Sequence, residues 1–340
     1  MQNVRNSILA TLVYYDILNF PLTFSEVHKY LINPSRLSLA NKPIGDLRPN
    51  EIKLELDDLV RLKLIFFTNG YYTVRHPMSD IVPNTIAQEL SDLRIERFKI
   101  AEEKWRKFLK VGELIQAVPY VRGVFASGSM AMNNTDEDSD FDVLMIIKPG
   151  RLYTSRLLLL SLTSLMRSRR RWFDKTAPDK LCFNHYLAED ALHISHHSLY
   201  NAQSYAHLVP TLVSRALFDN FFHENKWINK YLFNFRPGYD RTRRSIKKNF
   251  FLLSIAKTLE FMLNTKFGDL FERLARSYQQ RRIKNNPDTY NSGGRIVFND
   301  KELEFHPNSF EKSLIGKYNE TIKEFGIIAP SEEKDSGLQS

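Results

Sequence analysis

Asp140 and Asp142, two positions apart, are the side chains of this sequence best suited to chemistry. They sit at the head of the apolar run FDVLMII, and a second apolar run, VRGVFA, ends just before Gly128 and Ser129. Both runs predict strands, over residues 121–126 and 142–148. In a strand, positions i and i+2 face the same way, so the two carboxylates share one side. In the mouth of a turn made by Gly128 and Ser129, such a pair suits a magnesium-held triphosphate. Backbone N–H groups at Gly128 and Ser129, near the start of a helical turn, are donors for phosphate oxygens, and the Ser129 hydroxyl adds one more. The plainer reading is an acidic loop over residues 136–140 with no ligand, but two apolar strands do not usually converge on such a loop.

Gly128-Ser129, ten intervening residues and then Asp140-Phe141-Asp142 resembles the signature of the DNA polymerase beta-like nucleotidyltransferase superfamily. The resemblance covers roughly residues 118–190 and is nearest to the minimal nucleotidyltransferases, which include aminoglycoside-type and antitoxin-type members. It implies transfer of a nucleoside monophosphate from a nucleoside triphosphate to a hydroxyl, with release of pyrophosphate. It also implies Mg2+, or Mn2+ in its place, held by Asp140 and Asp142 as the catalytic pair. Gly128 and Ser129 would hold phosphates, with help from Arg156, from Arg151 or from the cluster Arg167, Arg169, Arg170 and Arg171. The superfamily draws a third acid from a later strand. The matching run here, residues 180–187 (KLCFNHYL), carries Asn184 at the inward position, with Cys182 and Tyr186 on the same face. Asp179, Glu189 and Asp190 flank that run and are the candidates to stand in for the acid. A rival reading keeps the fold as a non-catalytic nucleotide sensor that binds DNA or a partner protein. The acceptor, whether RNA, protein or a small molecule, is not specified.

The elements that must position these residues follow from periodicity. Helices are predicted over residues 4–17, 24–31 and 51–62, the second opened by a capping box of Thr23 and Glu26. Asn69-Gly70 between apolar runs predicts a hairpin. Three helices and a hairpin suggest a winged helix-turn-helix over residues 1–80. Its third helix carries four acidic and three basic residues, a composition that favours packing or a protein partner over duplex DNA. A connecting helix over residues 84–118 has mixed charges and predicts a solvated face. After the core at 119–190, residues 191–328 form a basic, mainly helical region, wholly helical from 190 to 235. A helix over 151–171 ends in the arginine cluster, a hairpin is expected over 297–305, and a last helix starts at Asn308 with Glu311 as its capping partner. Residues 329–340 read as a disordered tail. The fold class is thus α+β: a small mixed-sheet nucleotidyltransferase domain between a winged module and helices.

Composition excludes several classes. With 340 residues, 43% hydrophobic and 26% charged, the chain is globular and multi-part. No apolar run approaches the roughly 20 residues of a membrane span, and no secretory leader is evident, so no membrane association is expected. The single cysteine, Cys182, forbids an internal disulfide and fits a reducing cytoplasm. The net charge of +9 is concentrated in residues 236–286, which hold 13 Lys/Arg against 4 Asp/Glu, 13 − 4 = +9. His193 and His197, spaced four apart on an expected helix, lack the further ligands of a zinc site. Trp172, Phe173, Phe183 and Tyr186 are expected in the core rather than stacked on a base.

Overall fold

The computed structural model describes residues 2–37, 47–76, 83–171, 174, 176–240, 244–291 and 293–333. It begins with helices α1 (Gln2–Asp16), α2 (Phe24–Lys29) and α3 (Pro49–Arg61). The antiparallel pair β1 (Ile65–Thr68) and β2 (Tyr71–Val74) follows. The Thr23 hydroxyl accepts from the N–H of Glu26, whose carboxylate accepts from the N–H of Thr23, which fixes where α2 starts. Asn69 and Gly70 both take positive φ, +52° and +86°, the geometry of a tight hairpin turn. Helix α4 (Pro83–Gly112) then runs for 30 residues, about 45 Å.

Beyond it come β3 (Val121–Ala126), the single turn α5 (Gly128–Ala131), β4 (Phe141–Ile147), α6 (Leu152–Leu165), β5 (Leu181–Ala188), α7 (Leu199–Ala206), β6 (Val209–Leu212) and α8 (Arg215–Glu224). Helices α9 (Phe250–Leu263) and α10 (Lys266–Lys284), strands β7 (Arg295–Phe298) and β8 (Glu302–His306), and helix α11 (Glu311–Glu324) complete the chain. Six strands form one sheet in the order β6-β3-β4-β5-β8-β7. Only β4 and β5 run parallel; the other pairs are antiparallel, so the sheet is mixed and the class is α+β.

Alternation along the strands builds two apolar layers. Phe125, Leu144, Ile146 and Leu187 face α1, α7, α8 and α11, in a cluster that includes Ile8, Tyr15, Phe221 and Tyr318. Val124, Val143, Met145 and Tyr186 face the opposite way, toward Trp105 and Phe108 of α4 and Leu159 of α6. The three N-terminal helices therefore share a core with the sheet.

Several expectations are corrected. The stretch from 190 to 235 is not wholly helical: β6 pairs with β3, and the hairpin β7–β8 joins β5, so the sheet does not close at residue 190. Residues 191–198 are irregular, which removes the helical spacing of His193 and His197; their rings meet edge-on at 5.2 Å, and His197 stacks on Trp227. Helix α6 stops at Leu165, and Arg167 takes φ +54°, so the arginines lie beyond the helix, with Arg169 bridged to Leu181. The face of α4 is not wholly solvated, because Arg94 and Lys104 are buried. The last helix starts at Glu311, three residues later than expected. The Glu311 carboxylate, expected as its capping partner, accepts from the Ser198 hydroxyl and faces Arg295. The tail is ordered as far as residue 333: the buried Glu332 pairs with Arg36 through two hydrogen bonds of 2.6 and 2.5 Å. Residues 334–340 lie outside the described residues, as do Trp172 and Phe173.

Acid lability follows from the interior. Burial would raise the pKa of Glu304, but neighbouring His185 and Arg295 overcome it and hold the group at about 2. His207, stacked on Tyr30 at 4.0 Å, is pushed down to about 3 by burial. The unfolded chain takes up the His207 proton first, so this site loses stability as pH falls from about 6.5 toward 3. The Glu304 contribution, present above about pH 4.5, drains away from there toward 2. Because a carboxyl raised by the fold, Asp142 at about 7, gains stability over the same range as pH falls, the His207 contribution is read by difference. Unfolding free energy from denaturant titration should decline less between pH 6.5 and pH 4 in His207→Gln than in the parent chain, and equal slopes would contradict the assignment. Arg295→Met, which strands Glu304 and Glu311, should cost about 3–5 kcal/mol at neutral pH.

Candidate metal and nucleotide site

Strand β3 delivers the chain to Gly128 beside the start of β4. The Ser127 N–H donates to the Asp142 carbonyl at 2.9 Å, and the chain then turns through Gly128 at φ +67°. A Cβ at Gly128 would lie 2.3 Å from Asp142 Oδ2 and 3.1 Å from its Cβ. No side chain fits there, so glycine is required on both counts, conformation and contact. The backbone of the Gly-Ser turn is thereby pressed against a carboxylate.

The polar loop after α5 is held by α4. Arg94 donates to the carbonyls of Met132 and Asn133, Arg97 to Asn134 Oδ1, and Trp105 Nε1 to Asn133 Oδ1. Lys104 donates to the carbonyls of Glu137 and Ser139, each at 2.8 Å, and pairs with Asp179 at 3.0 Å. The Ser129 hydroxyl donates to Thr135 Oγ1 at 3.3 Å, which ties the Gly-Ser turn to the same loop.

Asp140, Asp142 and Cys182 converge: one ligand atom from each lies within 4.8 Å of the others. The parallel register sets Cys182 directly beside Asp142. Burial, then the charge of Asp140, pushes the Asp142 carboxyl up to about 7. Burial and the two aspartates push the Cys182 thiol far above its ordinary range, so it stays neutral and hydrogen-bonds Asp142. Asn184 Nδ2 donates to Asp142 Oδ1 at 2.8 Å, and Arg170 Nη1 pairs with Asp140 Oδ2 at 2.8 Å.

Searched against models of protein families, curated proteins and solved structures, the chain matches none. Function must therefore be argued from the site itself.

Of the residues singled out in the sequence, Gly128, Ser129, Asp140, Asp142 and Asn184 come together. Arg156 does not. A register shift between Val143 and Leu144 makes Asn184 an extra residue in β5. This bulge leaves Cys182 and Asn184 beside Asp142 and turns Tyr186 to the other face, against the expectation that all three share one. Arg156 lies on that other face, over the rings of Tyr186 and Phe305 and donating to Gln279 Oε1 at 2.6 Å. Arg151 pairs with Asp269 instead. Arg170 of the cluster reaches the site, while Arg167, Arg169 and Arg171 line a cleft of about 220 Å3 with Asp174 and Lys180.

None of the three acids proposed as substitutes reaches Asp142. Asp179 is engaged by Lys104 and Lys107, and Glu189 leaves β5 at the far end, its N–H donating to the Ile147 carbonyl; Asp190 follows it. Among the described residues, Cys182 is the third donor and no third carboxylate joins the pair. In a second such group His185 pairs with Glu302 and Arg295 with Glu304. Cys182 and Arg170 were the residues sequence reasoning undervalued. The register of a parallel pair, which local periodicity does not carry, is what places Cys182.

Gly128→Ala should cost roughly 1–3 kcal/mol of stability through the unfavourable φ and the forced shift of Asp142. Chemical denaturation measures it. Gly150, also at positive φ but with nothing within 4 Å of a built Cβ, provides the control. Gly150→Ala should carry the conformational cost alone, and equal losses in the two variants would refute the contact argument.

Proposed function

We propose that this chain is a Mg2+-dependent nucleotidyltransferase that moves a nucleoside monophosphate from a nucleoside triphosphate to a hydroxyl acceptor. The observation that carries the reading is the contact of the Gly128 backbone with the half-buried Asp142 carboxylate, with Asp140 alongside. The donor set fits a hard divalent cation. Two carboxylates close enough to repel, one of them pushed up to about 7, are the groups a cation relieves. The neutral Cys182 thiol is a poor ligand for Mg2+ and serves as a donor to Asp142.

Asp140 and Asp142 would hold the ion, which supplies charge neutralisation on the phosphoryl group when bound. Asn184 fixes the rotamer of Asp142 through Oδ1 and leaves Oδ2 facing Gly128. As first residues of a helical turn, Gly128 and Ser129 have N–H groups without a partner inside that turn, suited to phosphate oxygens. Arg170 sits where it can exchange Asp140 for a phosphate. The superfamily resemblance of the motif supports the same roles.

A second reading is supported by Asn184 standing where an acid is customary: a nucleotide sensor without turnover. Its N-terminal part would be a winged helix whose α3 meets a partner. Arg5 pairs with Glu55 and Asp58, and Lys53 and Arg61 pair with Asp57 and Asp58, so the cations of α3 are engaged with its own acids. Leu54 is exposed on it, which favours a protein over DNA.

Calorimetric titration with ATP and Mg2+ tests binding, and label transfer from α-labelled triphosphates tests chemistry. Asp140→Ala and Asp142→Ala should each lower transfer by roughly 10²–10³-fold or more. Asn184→Asp should tighten Mg2+ binding. Tight triphosphate binding with no transfer to any acceptor would favour the sensor, and full activity in both alanine variants would remove the site assignment.

A further inference from the structure

Helices α9 and α10 leave an apolar stripe outside the molecule. Phe251, Phe261 and Phe267 are 74%, 82% and 66% exposed, and Met262, Leu270 and Leu274 lie open with them. At 100° per residue these positions fall on one side of each helix, interrupted by exposed Ser254 and Thr258 on α9 and Arg281 on α10, while Ala256, Ala275 and Ile283 are buried. The stripe on α9 ends at Met262 and that on α10 begins at Phe267, so the two meet at the connection. A Cβ at Gly268 would lie 1.7 Å from the Leu263 carbonyl oxygen, so a glycine there lets the two helices join in a tight elbow.

The charges of the pair are sorted. Its acids turn toward the body: Glu260 binds Arg122 and the Tyr120 N–H, Asp269 binds Arg151, and Glu272 accepts from the N–H groups of Tyr153 and Thr154. Lys257, Lys266, Arg273 and Lys284 are exposed and have no acidic partner among the described residues. They fall along one margin of the stripes, with Arg282 on the other margin of α10.

We propose that this elbow docks on an anionic lipid bilayer, the apolar stripe entering the acyl boundary and the flanking cations meeting headgroup phosphates. A second copy of the chain would set like-charged margins against each other. Nucleic acid would use the aromatic rings and the cations but leaves Met262, Leu270 and Leu274 without a role. The elbow lies on the membrane rather than in it: α9 has 14 residues, about 21 Å of helix against roughly 30 Å of hydrocarbon. Among the described residues no helix is long and apolar enough to cross a membrane.

Co-sedimentation of the full chain with phosphatidylcholine vesicles, with and without phosphatidylglycerol, tests this. Binding should require the anionic lipid and weaken with salt. The triple variant Phe251→Ser, Phe261→Ser, Phe267→Ser should reduce the bound fraction by about tenfold or more. If that variant fails to fold, Lys257→Glu with Arg273→Glu should have the same direction of effect and keeps the test open. Separately, Phe261→Trp should shift its emission to the blue on mixing with anionic vesicles only. Absence of binding to either vesicle overturns the proposal. So does concentration-dependent dimerisation abolished by the triple variant, or capture of single-stranded RNA that the same variant loses while vesicle binding persists.

Discussion

A carboxylate at the second residue of a central strand is expensive to bury, and the neighbourhood of Asp142 is arranged around that cost. Three features bear on it: an amide donor from Asn184, a thiol from Cys182, and the Gly128 backbone brought within contact. What they do not supply is a positive charge, and burial together with Asp140 keeps the carboxyl high. Arg170, the cation of the site, pairs with Asp140 and offsets the burial of Asp142 only in part. The cation proposed above would relieve the remainder. The sheet, the bulge and the turn after β3 all converge on holding that one group.

Helix α4 extends this logic outward. Arg94 stacks on Phe20 at 3.5 Å, pairs with Glu26 at 2.7 Å and donates to Met132 and Asn133. Asn134 of the same loop donates to the Leu18 carbonyl and accepts from Arg97. One buried guanidinium thus touches both the N-terminal helices and the loop that precedes Asp140. The packing is contiguous, so a displacement of α2 would be felt at the loop without any long-range mechanism.

The sequence carried what is local. The hairpin at Asn69-Gly70, the capping box at Thr23, the strand over 121–126 and the convergence of Gly128 with Asp142 are set by short-range geometry and were legible. The rest depends on tertiary contact. Strand β6 is only four residues, one of them a proline, and exists because it meets the edge of β3. The bulge at Asn184 is an irregularity that a period of two cannot announce, and it turned Tyr186 away from the site. Arg94 and Lys104 read as solvated charges because their partners are backbone carbonyls nearly forty residues distant in one case and more than thirty in the other. The arginines at 167–171 looked like a helix end, but Ser168 and Arg170 instead bond the backbone of Leu181.

The pair of Arg36 with Glu332, and the edge contact of Tyr14 with Tyr318, have a consequence for the order of assembly. Helices α1 and α2 leave the ribosome early, yet a wall of their core is encoded some three hundred residues later. At roughly 5–20 residues per second, that wall arrives tens of seconds after the helices it must cover. During that interval Tyr14 lacks the ring of Tyr318 and Arg36 lacks its carboxylate partner. A contact that looks like a fastening in the finished protein is, in time, a late step of its construction.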